Sequence, residues 1–495
     1  MPVTRTTIFE PLAHILHARD NLLIYKLSFS QLIILFIVLC SDIQFYTKNY
    51  IHKKYKSLNY QANLMNKQKI KKIIAENNIE WLQIHFTDIL GGIRAVHFPS
   101  SQFESLCEKG FRFDGSSVGF RVVEKSDMVG KLDLDTFMIL PHINDEALIR
   151  ADLCDTKKET YRADPRNILK KAIKTANSQG YDKVAISPEM EFSIFDRFNE
   201  YNNEELESRG YFVAPPIDNI KEYRKSLSNH LIKSGYEVKY HHHEKGKFQH
   251  EIEVRSMDAL SAADFCLYFK YLAREITDLF DLDITFMPKP LSGEAGNGMH
   301  AHICLFKGNK NKFFDDSDKY NLSQDAHYFI GGLLDHARGL AAIANPTLNS
   351  YKRLIPYFEA PIYIAWAQYN RTSLIRIPAK KDVDIEIRNA DPAANPYLFF
   401  TGLILAGLDG IKKKISYEPV PHNIYKMSRK EIKKFKIKQL PTNLMEALEE
   451  FENDSILYNG IGKDAADLFI DKKKKEWHKY MDDITDLDYR FYFNC

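Results

Sequence analysis

Four apolar segments of the sequence each carry two chemically able side chains spaced two residues apart. They are AISPEMEFSIF with Glu189 and Glu191, FQHEIEVRS with Glu251 and Glu253, GMHAHICLF with His300 and His302, and VDIEIRNA with Glu386 and Arg388. In an extended strand the side chains at i and i+2 leave the same face. Each segment therefore turns a polar pair one way from an otherwise hydrophobic ribbon. One such pair is what any solvent-facing strand side shows. Several pairs that converge would crowd like charges together, and only a cation can hold crowded carboxylates ionised without raising their pKa values. HHHE, ending in Glu244, lies just upstream of Glu251 and adds a further carboxylate. Mostly oxygen donors with one imidazole suit Mg²⁺ or Mn²⁺ rather than a closed zinc site. Pairs of such ions typically handle phosphate oxygens.

A second set is cationic: Arg353 in NSYKRL, Arg371 and Arg376 in NRTSLIRIP, and Arg388 itself. Guanidinium forks grip carboxylates and phosphates through two parallel hydrogen bonds. Arginines beside a metal–carboxylate cluster point to an anionic substrate and a phosphoryl donor. The sequence has no GxxxxGK[ST] loop, and Gly293, Gly296 and Gly298 lack the dinucleotide-fold spacing. Any ATP is then expected to be held by metals and arginines.

The elements that must position these groups are those of a mixed fold. A chain of 495 residues, 44% hydrophobic and 27% charged, is long enough for two to four domains and is not mainly disordered. With 68 Lys and Arg against 66 Asp and Glu, the net charge of +2 gives no global reason to expect a nucleic-acid partner or an acidic membrane. Six cysteines without a CxxC pair argue against a disulfide scaffold or a cysteine zinc site, and the expected compartment is the reducing cytoplasm. The apolar run Leu32–Cys40 is short for a membrane span. Residues 1–64 are expected to be an atypical, dispensable extension or an upstream start-site artefact, with a membrane anchor as the alternative. From Met65 the pattern becomes orderly. Ile70, Ile73 and Ile74 predict an amphipathic helix, Trp81–Thr87 alternates as a strand, and Gly91-Gly92 turns into a second strand over 93–98. Short strands and turns are expected to about residue 160. Asp164-Pro165 then opens a helix closed by Gly180, so a boundary falls near 163. The basic runs at 429–438 and Lys472–Lys475 read as solvated helix faces.

The segments FDGSSVGF (113–120), PEMEF (188–192), HHHE…QHE (241–251), KP…GNGMHAH (289–302), NPTLNSYKRL (345–354), NRTSLIRIP (370–378) and EIRNADPAANPYL (386–398) resemble glutamine synthetase of the type I bacterial and archaeal form, in that family's order and over nearly all of 65–495. The resemblance implies an α+β fold: a β-grasp domain over 65–162, then a catalytic domain over 163–495 with an antiparallel half-barrel surrounded by helices. It implies a homo-oligomer, a dodecamer of two stacked hexameric rings, with active sites between subunits. It implies an ATP-dependent glutamate–ammonia ligase that binds two or more Mg²⁺ or Mn²⁺ ions per site and makes L-glutamine from L-glutamate and ammonium through γ-glutamyl phosphate.

Carried over residue by residue, Glu191, Glu244 and Glu251 match the ligands of one metal, and Glu189, His300 and Glu386 those of the other. Gly296, Arg353, Arg371 and Arg388 match glutamate and phosphate contacts, with His242 and Glu359 on the substrate side. His302, Arg371, Arg376 and Lys381 match nucleotide contacts. Glu359 matches the loop residue that closes over the site, Arg371 steadies charge on the transferring group, and Asp114 from the adjacent subunit matches the group that takes a proton from ammonium. The chain departs from the family's pattern at Lys239 (usually Glu), Phe248 (small), Ala295 (Asn), Cys304 (Ser), Asp384 (Arg) and in the flap, where PYFEAP at 356–361 replaces PGYEAP. A related γ-glutamyl-amine ligase and a weakened regulatory paralogue are the rival readings. Tyr425, near a position that some members modify, is expected to be an exposed structural tyrosine.

Overall fold

The computed structural model describes residues 65–196, 210–379 and 383–493. The extension 1–64, with its apolar run, and Lys381 lie outside the described residues. The first described helix, α1 (Lys67–Glu76), begins where the Asn66 side chain accepts a hydrogen bond from the Lys69 N–H. That bond fills one of the donors a helix start leaves unpaired.

The expected hairpin is present as β1 (Trp81–Thr87) and β2 (Ile93–Pro99). With β3 (Phe111–Asp114), β4 (Asp127–Ile139) and β5 (Glu146–Cys154) it makes a five-stranded sheet ordered β2-β1-β5-β4-β3, in which β1 and β5 run parallel. The stretch expected to hold only strands and turns also contains a helix, α2 (Phe103–Lys109), which buries Phe103 and Leu106. The strand β1 is buried on both faces and not on one. Leu82, Ile84 and Phe86 enter the core as expected, but Gln83 and His85 on the other side are covered as well. Tyr271 covers them: its hydroxyl is 3.2 Å from the Gln83 Oε1, and its ring meets His85 edge-on at 5.1 Å.

Asp164 caps α3 (Pro165–Ser178) by accepting from the Arg166 N–H, and the same carboxylate accepts from the Leu153 N–H at 2.8 Å. Arg166 then reaches back across the fold. Its Nη1 donates to Asp133 and Asp152, both at 2.7 Å, and its Nε and Nη2 donate to Asp264 at 3.1 and 3.0 Å. Lys170 and Arg150 complete this buried ionic cluster through Asp152 and Asp264. Charges taken out of water are tolerable only when paired and hydrogen-bonded as these are.

The remaining strands are β6 (Lys183–Asp196), β7 (Val238–His243), β8 (Gln249–Val254), β9 (Met257–Asp258), β10 (Leu282–Thr285), β11 (Met299–Lys307), β12 (Lys310–Asn311), β13 (Tyr363–Ile364), β14 (Trp366–Gln368), β15 (Ile375–Ile377), β16 (Ile385–Ile387) and β17 (Lys438–Gln439). Ten of them form one sheet whose main path is β14-β15-β16-β11-β6-β8-β7, antiparallel except where β14 meets β15. This is the half-barrel, and the four polar-pair segments are its consecutive strands β16, β11, β6 and β8. Their apolar face is backed by helices. Phe192 packs on Phe269 of α4 (Ala259–Glu275) with ring centroids 5.8 Å apart, and α5 (Pro396–Lys413), buried along most of its length, lies beneath. Among the described residues no helix is long and apolar enough to cross a membrane.

Replacing Arg166 by Met leaves Asp133, Asp152 and Asp264 short of a partner. The expected loss is about 3–5 kcal/mol, read as a lowered urea midpoint. An unchanged midpoint would show that Lys170 and Arg150 suffice without it.

Candidate active site

The sheet register brings the polar pairs face to face. His300 lies opposite Glu189, Glu251 opposite Glu191, Glu253 opposite Glu189, Glu386 opposite His302, and His242 opposite Glu251. All of these but Glu386, which is buried behind them, line a cavity of about 580 Å³ that also receives Glu244, Gly296, Arg353, Glu359, Arg371, Arg376 and Arg388.

The potential ligands fall into groups whose donor atoms lie within 4.8 Å of one another: Glu189 with His300 and Glu386, His242 with Glu244 and Glu251, and Glu189 with Glu251 and Glu253. The first group coincides with one expected metal set. In the second, His242 stands beside Glu244 and Glu251 where Glu191 was expected. Glu191 is nearby but anchored, accepting from the Gln249 Nε2 and the Gly298 N–H, both at 2.6 Å, with its other oxygen 3.9 Å from the His300 Nε2.

The two halves differ in charge balance. The Glu189 half is compensated. His302 Nε2 is 2.7 Å from Glu189, and its Nδ1 is 3.0 Å from Asp384. Burial disfavours the imidazolium, but Glu189 and Asp384 outweigh it and raise His302 to about 10. Despite the burial penalty, His302 in turn holds Glu189 well below the usual carboxylate range. Glu386 accepts from the Arg388 Nε at 3.1 Å and from Arg376, so each of its oxygens meets a guanidinium. The Glu244 half is uncompensated. Burial and then the charge of Glu191 push Glu244 up to about 8, and burial with Glu189, Glu191 and Glu244 pushes Glu251 well above its ordinary value. His242 is lowered to about 4 by burial, so it is neutral and able to ligate, and its buried Nδ1 has no hydrogen-bond partner. A neutral imidazole beside two mutually repelling carboxylates is a donor set that fits a hard divalent cation.

Arginines line the same cavity. Arg353 is buried, donates to the Asn389 carbonyl at 2.6 Å, and has an unpartnered Nε. A Cβ on Gly298 would come within 2.7 Å of the Arg353 Nη2, and one on Gly296 within 2.3 Å of the Pro288 carbonyl, so both positions require glycine for close approach. Arg388 also donates to the carbonyl of Arg371, while the Arg371 side chain is itself exposed at the mouth. Glu359 pairs with Lys245 at the rim. It and Tyr357 both have left-handed backbone, with φ of +63° and +71°. The flap pattern therefore places a tyrosine where the chain conformation favours glycine.

Asp114 is outside this cavity. It ends β3, where its carboxylate accepts from the Ser116 N–H and hydroxyl at 2.8 and 2.6 Å and from the Ser117 hydroxyl at 2.5 Å, bonds that hold it well below the usual carboxylate range. Ala295 and Lys239 line the cavity. Cys304 is buried with its Sγ 2.9 Å from the Asn311 Oδ1, and the Phe248 ring lies 5.1 Å from that of Phe195. Tyr425 is half-buried and not exposed, because it packs between Tyr357 and Tyr363. Sequence reasoning passed over Gln249, which ties Glu191 to the Gly296 carbonyl at 3.0 Å. Its place two residues before Glu251, on the same strand face, was the available signal.

Two family models match the chain, the glutamine synthetase β-grasp domain over residues 78–156 and the glutamine synthetase catalytic domain over 162–492. A glutamine synthetase from Thermus thermophilus is 40% identical over 426 residues, covering 84% of this chain and 96% of that protein. One from Pyrococcus furiosus is 42% identical over 411 residues, covering 82% and 92%. Among solved structures, ligand-free GmaS aligns with a TM-score of 0.80 at 29% identity over 87% of this chain and 100% of that one. A Plasmodium falciparum glutamine synthetase aligns with a TM-score of 0.77 at 29% identity over 86% and 98%. The two domains and the carboxylate-lined sheet define a class of ligases that use ATP and a divalent metal. The chain belongs to the glutamine synthetase family.

Because Glu244 is raised to about 8 and Glu251 well above its ordinary value, and a cation binds only their ionised forms, Mn²⁺ affinity should climb with pH through about 8. Calorimetry in buffers of differing ionisation enthalpy should register proton release on binding below that pH. Affinity independent of pH would show that these carboxylates do not take up the metal.

Proposed function

We propose that the chain joins ammonium to the γ-carboxylate of L-glutamate at the expense of ATP, giving L-glutamine, ADP and phosphate through γ-glutamyl phosphate. The observation that carries this reading is one site that gathers two carboxylate–imidazole groups and four arginines. Its occupants are two or more Mg²⁺ or Mn²⁺ ions, held by Glu189, His300 and Glu386 on one side and by Glu244 and Glu251, with Glu191 adjoining, on the other. Such ions supply charge neutralisation on phosphate oxygens.

A carboxylate is a poor electrophile because its leaving group would be oxide. When a γ-carboxylate oxygen of glutamate attacks the γ-phosphorus of ATP, ADP leaves and the acyl carbon acquires phosphate as its leaving group. Arg353, Gly296 and His242 suit the glutamate end. Arg371, Arg376, Lys381 and His302 suit the nucleotide end, and Arg388 with Arg371 offsets charge on the transferring group. Ammonium must lose a proton before its nitrogen lone pair can attack the acyl phosphate. Asp114, kept ionised by its serine donors, suits capture of the cation and acceptance of that proton when a neighbouring subunit presents it. Glu359 at the rim suits a closed flap that keeps water from the acyl phosphate. A β-grasp unit over 65–162, a catalytic unit over 163–495, a dodecamer of two hexameric rings and a cytoplasmic location complete the reading.

The purified chain with Mg²⁺, ATP and glutamate should form glutamine with ammonium and release little ADP with a panel of amines. ADP release that depends on an amine and not on ammonium would move the activity to an amine ligase. Folded rings with no turnover would mark a regulatory paralogue. A second measurement addresses the shared site. Asp114→Asn and Glu386→Ala should each abolish activity, and co-expressing the two should restore part of it, because some junctions then pair an intact cavity with an intact Asp114. No recovery in mixed assemblies would place Asp114 outside the reaction.

A further inference from the structure

The cavity holds more carboxylate than two cation sites need. Besides the two groups already assigned, Glu189, Glu251 and Glu253 bring oxygens within 4.8 Å of one another, and all three side chains line the cavity. Of the carboxylates in this third group, Glu253 is the one held by a lysine ammonium and a tyrosine hydroxyl. Lys239 Nζ lies 2.9 Å from its Oε2, and the Tyr240 hydroxyl donates to its Oε1.

The backbone is built to make this contact. On β7, Val238 lies opposite Val254 and Tyr240 opposite Glu253, so Lys239 is an extra residue with no partner on β8. In a regular strand Lys239 and Tyr240 would leave opposite faces. A bulge places two residues against one and turns the inserted side chain. Here it lets consecutive residues close on the same carboxylate.

We propose that Lys239 and Tyr240 are positioning residues that withhold Glu253 from the cation sites, so that the cavity loads two divalent ions and not three. This rests on the divalent-cation reading of the site given above. The Lys239 ammonium neutralises Glu253 internally, which leaves a third ion without one of the three carboxylates it would need. Tyr240 fixes the second oxygen, which keeps the side chain turned toward the β7 edge. The count of ions, and with it the charge presented to the phosphates, is then set by one lysine on a bulge.

Mn²⁺ binding to the full chain, followed by electron paramagnetic resonance of the free ion and by equilibrium dialysis, tests this without reference to turnover. The wild-type chain should bind two ions, Lys239→Met three, and Lys239→Arg two again. The double variant Lys239→Met/Glu253→Gln should return to two, which separates a gained site from general loosening, and circular dichroism confirms that each variant is folded. Two ions in both the wild type and Lys239→Met, or three in the wild type, would overturn the proposal. No stoichiometric binding to the wild type would instead overturn the divalent-cation reading beneath it.

Discussion

The site depends on enforced proximity of like charges. Antiparallel pairing of β16, β11, β6 and β8 sets Glu189, Glu191, Glu251, Glu253, His300 and Glu386 on one face, in registers that place them opposite one another. Unfolded, these acids would separate. Folded, they are held together by an apolar face that must stay against the helices behind it. Burial of Phe192, Met190, Ile252 and Ile303 supplies the stabilisation that offsets the repulsion. Part of that repulsion is cancelled inside the protein by His302, Arg376, Arg388 and Lys239. The part left over, at Glu244 and Glu251, is the binding potential for a cation.

Two other constraints keep this face in place. The Arg166 cluster joins the N-terminal sheet, through Asp133 and Asp152, to α4, through Asp264, and α4 backs the larger sheet. The glycines at 296 and 298 let Arg353 approach the acids without a side chain in the way. The rim is looser in design: Tyr357 and Glu359 occupy left-handed backbone, a conformation that costs a non-glycine residue about 1–2 kcal/mol. Strain of that kind persists where the surroundings insist on it, and here Tyr425 packs against the Tyr357 ring.

Much of this was legible because alternation is a local signal. The i, i+2 spacing identified the four strands and the face they share, and an ordered series of motifs tied them to a family. What could not be read was whatever depends on partners distant in sequence. Nothing near Gln83 and His85 announces Tyr271, which lies far along the chain and covers them. His242 was expected near substrate, and only the β7–β8 register shows it beside Glu251. A bulge leaves no mark in a single sequence, so Lys239 read as an isolated departure until its partner Glu253 was seen across the ladder.

The strict two-residue rhythm of β6 also limits how this protein can change. An exchange of one side chain there alters one contact, whereas adding or removing a single residue would trade places between Glu189 and Met190 and between Glu191 and Phe192, driving acids into the helix-facing layer and oily groups into the cavity. Interior strands of the sheet are thus frozen in length though open to substitution, whereas β7, at one end of the sheet's main path, carries a tolerated extra residue. Variation in this lineage should accordingly be written as replacements along the core strands and as insertions at the sheet's margin.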